Sequence, residues 1–180
     1  ASVFLSLETA RLITVQISGA VREPRSLAIP AYTPLSRVLA YAGGITSVGS
    51  LRSIVLRDRE GNISEVDFYD FLQSPLGAND PLVTDSSRIF VADQGPTVAA
   101  FGFVARPGIY ELAAGQTMIS VRDLLALSGT STLSPGLVLE AKYFDADGLS
   151  QTRSVTLDDS LNVGEVLNLR FLETRIQQVI

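Results

Sequence analysis

Few residues in this chain can do chemistry, because histidine and cysteine are both absent. Without an imidazole there is no base for a serine nucleophile, which excludes a Ser-His dyad or a Ser-His-Asp triad. Without thiols there are no disulfides and no thiolate metal ligands, and cysteine usage leaves the redox compartment open. A Ser-Lys dyad would have to use Lys142, the only lysine. Lys142 stands in an alternating stretch where Leu137 and Leu139 face one way and Val138 and Glu140 the other, so it reads as a solvated strand lysine. Carboxylate pairs occur at Asp58/Glu60, Asp145/Asp147 and Asp158/Asp159. Such pairs suit glycoside hydrolysis when an apolar cleft raises one pKa. All three pairs lie in or beside turns, where acidic side chains serve local backbone donors. Asp145-Ala146-Asp147-Gly148 looks like part of a calcium loop, yet the twelve-residue register puts Tyr143 first and Ser154 last, where acidic ligands belong. Neither a Gly-x-Gly-x-x-Gly run nor a phosphate loop with lysine is present. No catalytic residue, metal ligand or cofactor site is expected.

Binding remains. Arg22, Arg106 and Tyr110 sit at strand-turn-strand corners, where guanidinium and phenol groups offer hydrogen bonds and a ring face to a ligand. The competing assignment packs Tyr110 on the sheet and leaves the arginines solvated or paired.

These corners are set by the stretch Val15 to Gly44. Val15, Ile17 and Val21 are β-prone and nearly alternate. Glu23-Pro24-Arg25 signals a turn, since proline presets φ and cannot donate to a ladder. Thr33 reads as a helix N-cap and Pro34 as the first helical residue. Leu35, Val38, Leu39 and Ala42 share one helical face, and Gly43-Gly44 stops the helix. Ser53–Arg57 and Ile63–Asp67 flank the polar turn Asp58–Asn62 and predict a hairpin. Phe68–Leu72 reads as a short helix, Pro75–Pro81 as a loop, and Arg88–Val91 as a strand.

The same order returns. Val98–Val104 leads through Arg106-Pro107-Gly108 to Ile109–Leu112, and a helix over Val121–Leu127 stops at Ser128-Gly129. Gly19 and Gly102 are 83 residues apart, as are Pro24 and Pro107. Aligning Leu39 with Leu124 gives 85 and places two extra residues in the Gly115–Met118 turn. Leu137–Tyr143, the turn Asp145–Gly148, Thr152–Leu157 and a closing strand Gly164–Leu169 complete the copy. A repeat this long is a domain used twice rather than a solenoid unit. Val3–Thr9, Ile89–Gly95 and Leu169–Thr174 also resemble one another.

The chain of 180 residues therefore divides into two domains of about 80 residues. Domains so small bury only about 60% of their unfolded surface, so contacts beyond each core matter. An apolar content of 46% marks an ordered globular chain. No apolar run approaches the roughly 20 residues of a membrane helix. The net charge of −5 disfavours general nucleic-acid binding.

Gly-x-Val-x-x-Pro, the following Leu or Tyr, a β-to-helix step and Ala42-Gly43-Gly44 together resemble the SLBB (soluble-ligand-binding β-grasp) domain of bacterial outer-membrane polysaccharide export proteins. The resemblance covers both copies. It implies an α+β fold of two tandem β-grasp (SLBB-like) domains, each with one helix across a mixed sheet. The implied layout is residues 1–13 as the end of a preceding repeat or an edge strand, 14–95 and 96–172 as the two domains, and 173–180 as the start of a further segment. The implied function is non-enzymatic: the periplasmic part of a capsule or exopolysaccharide export protein, associated with the outer membrane in the full-length protein. Partners would be further copies or other subunits of the export complex, and the polysaccharide itself through Arg22, Arg106 and Tyr110. No nucleic acid is implied, and a membrane only through parts outside this chain. A soluble carbohydrate-binding accessory protein of the same pathway is the alternative, with competence-type DNA uptake more remote. Two features depart from the family pattern: Arg25 follows Pro24 where glycine is usual, and the second helix ends in Ser128-Gly129 rather than Ala-Gly-Gly.

Overall fold

The computed structural model describes residues 11–73, 79–130 and 135–171. The chain divides between Gln94 and Gly95 into two compact units. It is mixed α+β, with two five-stranded sheets and short helices.

The first unit opens with β1 (Leu12–Gly19), whose alternating sequence places Ile13, Val15 and Ile17 in the core and Leu12, Thr14 and Gln16 outside. A turn leads to β2 (Arg25–Pro30), antiparallel to β1 with Gln16 opposite Ser26. Helix α1 (Leu35–Tyr41) follows, then β3 (Gly49–Arg57), β4 (Ile63–Val66), α2 (Tyr69–Gln73) and β5 (Arg88–Asp93). The sheet order is β2-β1-β5-β3-β4, and the central pair β1/β5 is parallel. A parallel pair requires a crossover, and α1 lies within it. Leu35, Val38 and Leu39 on α1, and Ala42 at its C-cap, are buried in one cluster with Val15, Ile17, Ile54, Ile89 and Val91. Each Leu, Ile or Val side chain among them contributes about 2 kcal/mol by leaving water.

The second unit repeats the order. It contains β6 (Thr97–Gly102), β7 (Gly108–Glu111), β8 (Met118–Ser120), α3 (Val121–Leu127), β9 (Leu137–Phe144), β10 (Ser150–Ser154), β11 (Ser160–Asn162) and β12 (Val166–Phe171). Its sheet runs β7-β6-β12-β9-β10, again with a parallel central pair, β6/β12. Val98, Ala100, Val121, Leu124, Leu125, Leu139, Leu167 and Leu169 are buried. Strands β8 and β11 form a separate antiparallel ribbon, which among the described residues of the first unit is reduced to the bridge Pro34–Leu82.

Gly19 and Gly102 hold equivalent places at the ends of β1 and β6, with φ +84° and +82°. A Cβ on Gly19 would stand 2.0 Å from the Val91 carbonyl oxygen, and one on Gly102 2.0 Å from that of Leu169. Both sites require glycine, because the first strand must turn left-handed directly against the closing strand.

Several boundaries differ from the sequence expectation. Thr33 is not the helix cap; its hydroxyl donates to the Pro30 carbonyl. Pro34, expected as the first helical residue, occupies the cap position without a side-chain bond. The capping acceptor is Asp80, whose carboxylate takes the Ser36 backbone N–H at 3.0 Å and the Ser36 hydroxyl at 2.6 Å. An acceptor 44 residues downstream is invisible to local capping rules. The helices align at a spacing of 86 rather than 85. Gly44 N–H bonds to Leu39 O and Thr130 N–H to Leu125 O, so Leu39 pairs with Leu125 and three residues are extra in the second copy. The last strand starts at Val166, because Gly164 takes a positive φ in the turn before it. The expected strand over Thr152–Leu157 ends at Ser154, and β8 and β11 were not expected. Val3–Thr9, the Pro75–Ala78 part of the expected loop and everything after Phe171 lie outside the described residues.

Candidate functional site

The corner expected to bind is where the first turn of each unit meets the C-terminal end of its helix. In the first unit, backbone bonds lock the two together: Arg22 N–H to Gly44 O and Glu23 N–H to Ala42 O, both 3.0 Å. The Arg25 guanidinium donates to the Tyr41 carbonyl at 2.6 Å and pairs with Glu23 at 3.2 Å. Arg22 is exposed, and its Cβ lies 3.2 Å from where a Cβ on Gly43 would stand.

In the second unit, Arg106 N–H bonds to Ser128 O at 2.8 Å, and the Arg106 guanidinium donates to the Leu127 carbonyl at 2.8 Å. Tyr41 and Leu127 are each the last residue of their helix. The two units thus place an arginine on the same orphan carbonyl from different sequence positions, complementing the negative end of the helix. This accounts for Arg25 standing where glycine is usual after the turn proline.

Tyr110 is buried, and its hydroxyl donates to the Arg106 carbonyl. Burial raises the phenol pKa above its ordinary value, against a smaller opposing effect of Arg106. The structure brings Arg106 and Tyr110 together around one turn. There Tyr110 presents no ring to solvent, and the Arg106 guanidinium holds the helix end. Arg22 belongs to the equivalent corner of the first unit and leaves its side chain in solvent.

The carboxylate pairs serve turns. Asp58 accepts from Asn62 N–H at 2.8 Å and from the Asn62 side-chain amide at 2.7 Å. Asp145 accepts from Asp147 N–H, Leu149 N–H and the Gln151 side chain. Asp159 accepts from Thr156 N–H and its hydroxyl. These donors hold all three carboxyls below their ordinary pKa, led by the Asn62 side chain, the Gln151 side chain and the Thr156 N–H respectively. A general acid needs the opposite shift. The depression lined by Tyr143, Asn162 and Glu165, of 380 Å³, offers no free acid either. Glu165 is ion-paired with Arg153 at 2.9 Å and takes the Asn162 N–H. Among the described residues no acidic cluster could hold a metal ion, and Lys142 is exposed on β9.

Sequence reasoning missed Arg25, whose role depends on the helix end folding back over its turn, and Asp80. No helix among the described residues is long and apolar enough to cross a membrane.

Comparison with known proteins agrees with the architecture over the first unit. The family model described as the SLBB domain matches residues 14–67, the segment from β1 through β4. No curated protein matches the chain closely enough to count as a relative. SLBB domains occur in polysaccharide export proteins and act there as binding rather than catalytic modules. Residues 14–67, with Arg22 at their first turn and Asp58 at their hairpin, are what this chain shares with the SLBB domain family.

Proposed function

We propose that this chain is a non-enzymatic, periplasmic part of a polysaccharide export protein. Its two units are tandem β-grasp domains of the SLBB type that act by stacking and by contacts between subunits. The observation that carries the reading is the SLBB match over residues 14–67. The second unit supports it by using the same strand order, with a parallel central pair and the same obligatory glycine. The corners are built as rigid joints, with backbone bonds, a guanidinium and a buried phenol holding turn to helix. Rigid small domains whose sheets end, among the described residues, in β2 and β4 and in β7 and β10 suit a role in which neighbouring copies cover those edges. Arg22 is the corner residue left available to a polymer or to a neighbouring subunit.

The test is genetic. Deleting the gene in the bacterium that carries it should leave polysaccharide synthesis running while surface polymer disappears and polymer accumulates inside. Unchanged surface polysaccharide would refute the export role.

A further inference from the structure

The outer face of the first sheet carries a charge arrangement that the fold does not require. Arg57 on β3 and Arg88 on β5 are direct cross-strand partners. Both are exposed, and both lie on the face turned away from the core. Like charges directly opposed on neighbouring strands are unfavourable. Neither arginine forms an ion pair among the described residues. Three nearby acids are engaged elsewhere. Asp58 is bonded to Asn62, Asp85 takes the Thr14 N–H at 2.9 Å, and Glu65 takes the Ser53 hydroxyl at 2.7 Å. Glu60 lies in the exposed hairpin turn.

Arg59, from that turn, joins the pair. Arg57, Asp58, Arg59, Ser86 and Arg88 line a depression of about 270 Å³. That is below the range that encloses a drug-sized ligand, and it suits one charged group of a larger molecule. Two neighbours extend the site along the sheet. Gln16 stands beside Arg88 on β1, and Phe90, 49% exposed, follows Arg88 on the same face of β5. Residues two apart on a strand share a face about 7 Å apart, within reach of one sugar ring.

The second unit supplies an internal comparison. At the equivalent place on its sheet, Lys142 on β9 faces Val166 on β12. The same architecture is built there with one cation opposite an apolar residue, so the opposed arginines of the first unit are not demanded by folding.

We propose that Arg57 and Arg88, with Arg59, form an oxyanion site that takes the carboxylate or phosphate substituent of an acidic polysaccharide. Guanidinium forks match both groups in bidentate geometry. The face of Phe90 receives the sugar ring that carries the charge. The oxyanion part stands on the arginine geometry alone, and the polysaccharide part rests on the function proposed above.

The test is calorimetric titration of the 180-residue chain with oligogalacturonate, with a neutral maltooligosaccharide of the same length, and with inorganic phosphate. R57Q and R88Q are the test variants. R122Q, which removes an exposed arginine paired with Asp158 on the second unit, is the control. Oligogalacturonate should bind, the neutral sugar should not, and each test variant should weaken binding about tenfold while the control stays within about twofold. Phosphate binding with the same arginine dependence, but no oligosaccharide binding, would sustain the site and assign its anion to free phosphate. Equal binding of acidic and neutral sugars, unchanged in R57Q and R88Q, would overturn the site and leave the polysaccharide reading standing. No binding of any probe would also overturn it. Without ligand, R57Q should raise the thermal midpoint by about 2 °C, since it removes a cross-strand repulsion. A lowered midpoint would make Arg57 a structural residue and contradict the proposal.

Discussion

Asp58, Asp85, Asp145, Asp159 and Glu140 all have carboxyl pKa values below the ordinary range, each because donors or a guanidinium favour the charged form. In the acid range the folded chain therefore binds fewer protons than the unfolded one. The stabilisation is full above the ordinary carboxyl values of 3.8 and 4.5 and is lost as pH falls through the lower folded values. With no histidine to titrate, the thermal midpoint should stay flat from about pH 6 to pH 8 and fall below about pH 4. Melting curves across that range check this, and a step near pH 6.5 would contradict it. Tyr110 carries the opposite sign at the alkaline end: its raised pKa makes the fold lose stability as pH rises through it. Tyr110→Phe should destabilise the second unit by about 1 kcal/mol in urea unfolding, from loss of the bond to the Arg106 carbonyl. The turn duties of Asp58 and Asp145 were legible from Gly61 and Gly148 following closely in polar hairpins. The packing of Tyr110 on the sheet was the competing assignment the sequence offered, whereas its bond to the Arg106 carbonyl was not legible, because a hydroxyl's partner depends on how the turn folds back.

The helices and central strands could be read from periodicity. Ile13, Val15 and Ile17 alternate into the core, and Leu35, Val38, Leu39 and Ala42 repeat at helical steps onto it. Elements fixed by distant partners could not. The ribbon β8/β11 has only three residues per strand, too few for a periodic signal. The cap of α1 comes from Asp80, brought near by the return of the chain. Asp80→Ala should therefore destabilise the first unit by about 1 kcal/mol, as loss of a local N-cap does. An unchanged urea midpoint would show that the bonds to Ser36 contribute nothing net. Gly19→Ala is the harsher test, combining a positive φ with a 2.0 Å approach to the Val91 carbonyl. It should cost about 3 kcal/mol or more. Wild-type stability in that variant would contradict the close packing of β1 against β5.

At the scale of the molecule, the repeat was visible as glycine and proline spacings, and both sheets carry the same strand order. The register of the second copy was off by one at the helix because an insertion before α3 leaves no mark on a pattern of leucines. The proposed assembly is a property of surfaces. Strands that end their sheets among the described residues, and Phe101, Phe144 and Ile109 exposed on the second sheet's outer face, are features that a stack of copies would cover. Sedimentation velocity across protein concentration tests this most directly. The account predicts a mass that rises above the 19.3 kDa of a single chain as concentration increases, reaching a defined oligomer. A constant single-chain mass at every concentration, in this chain and in the full-length protein alike, would contradict it.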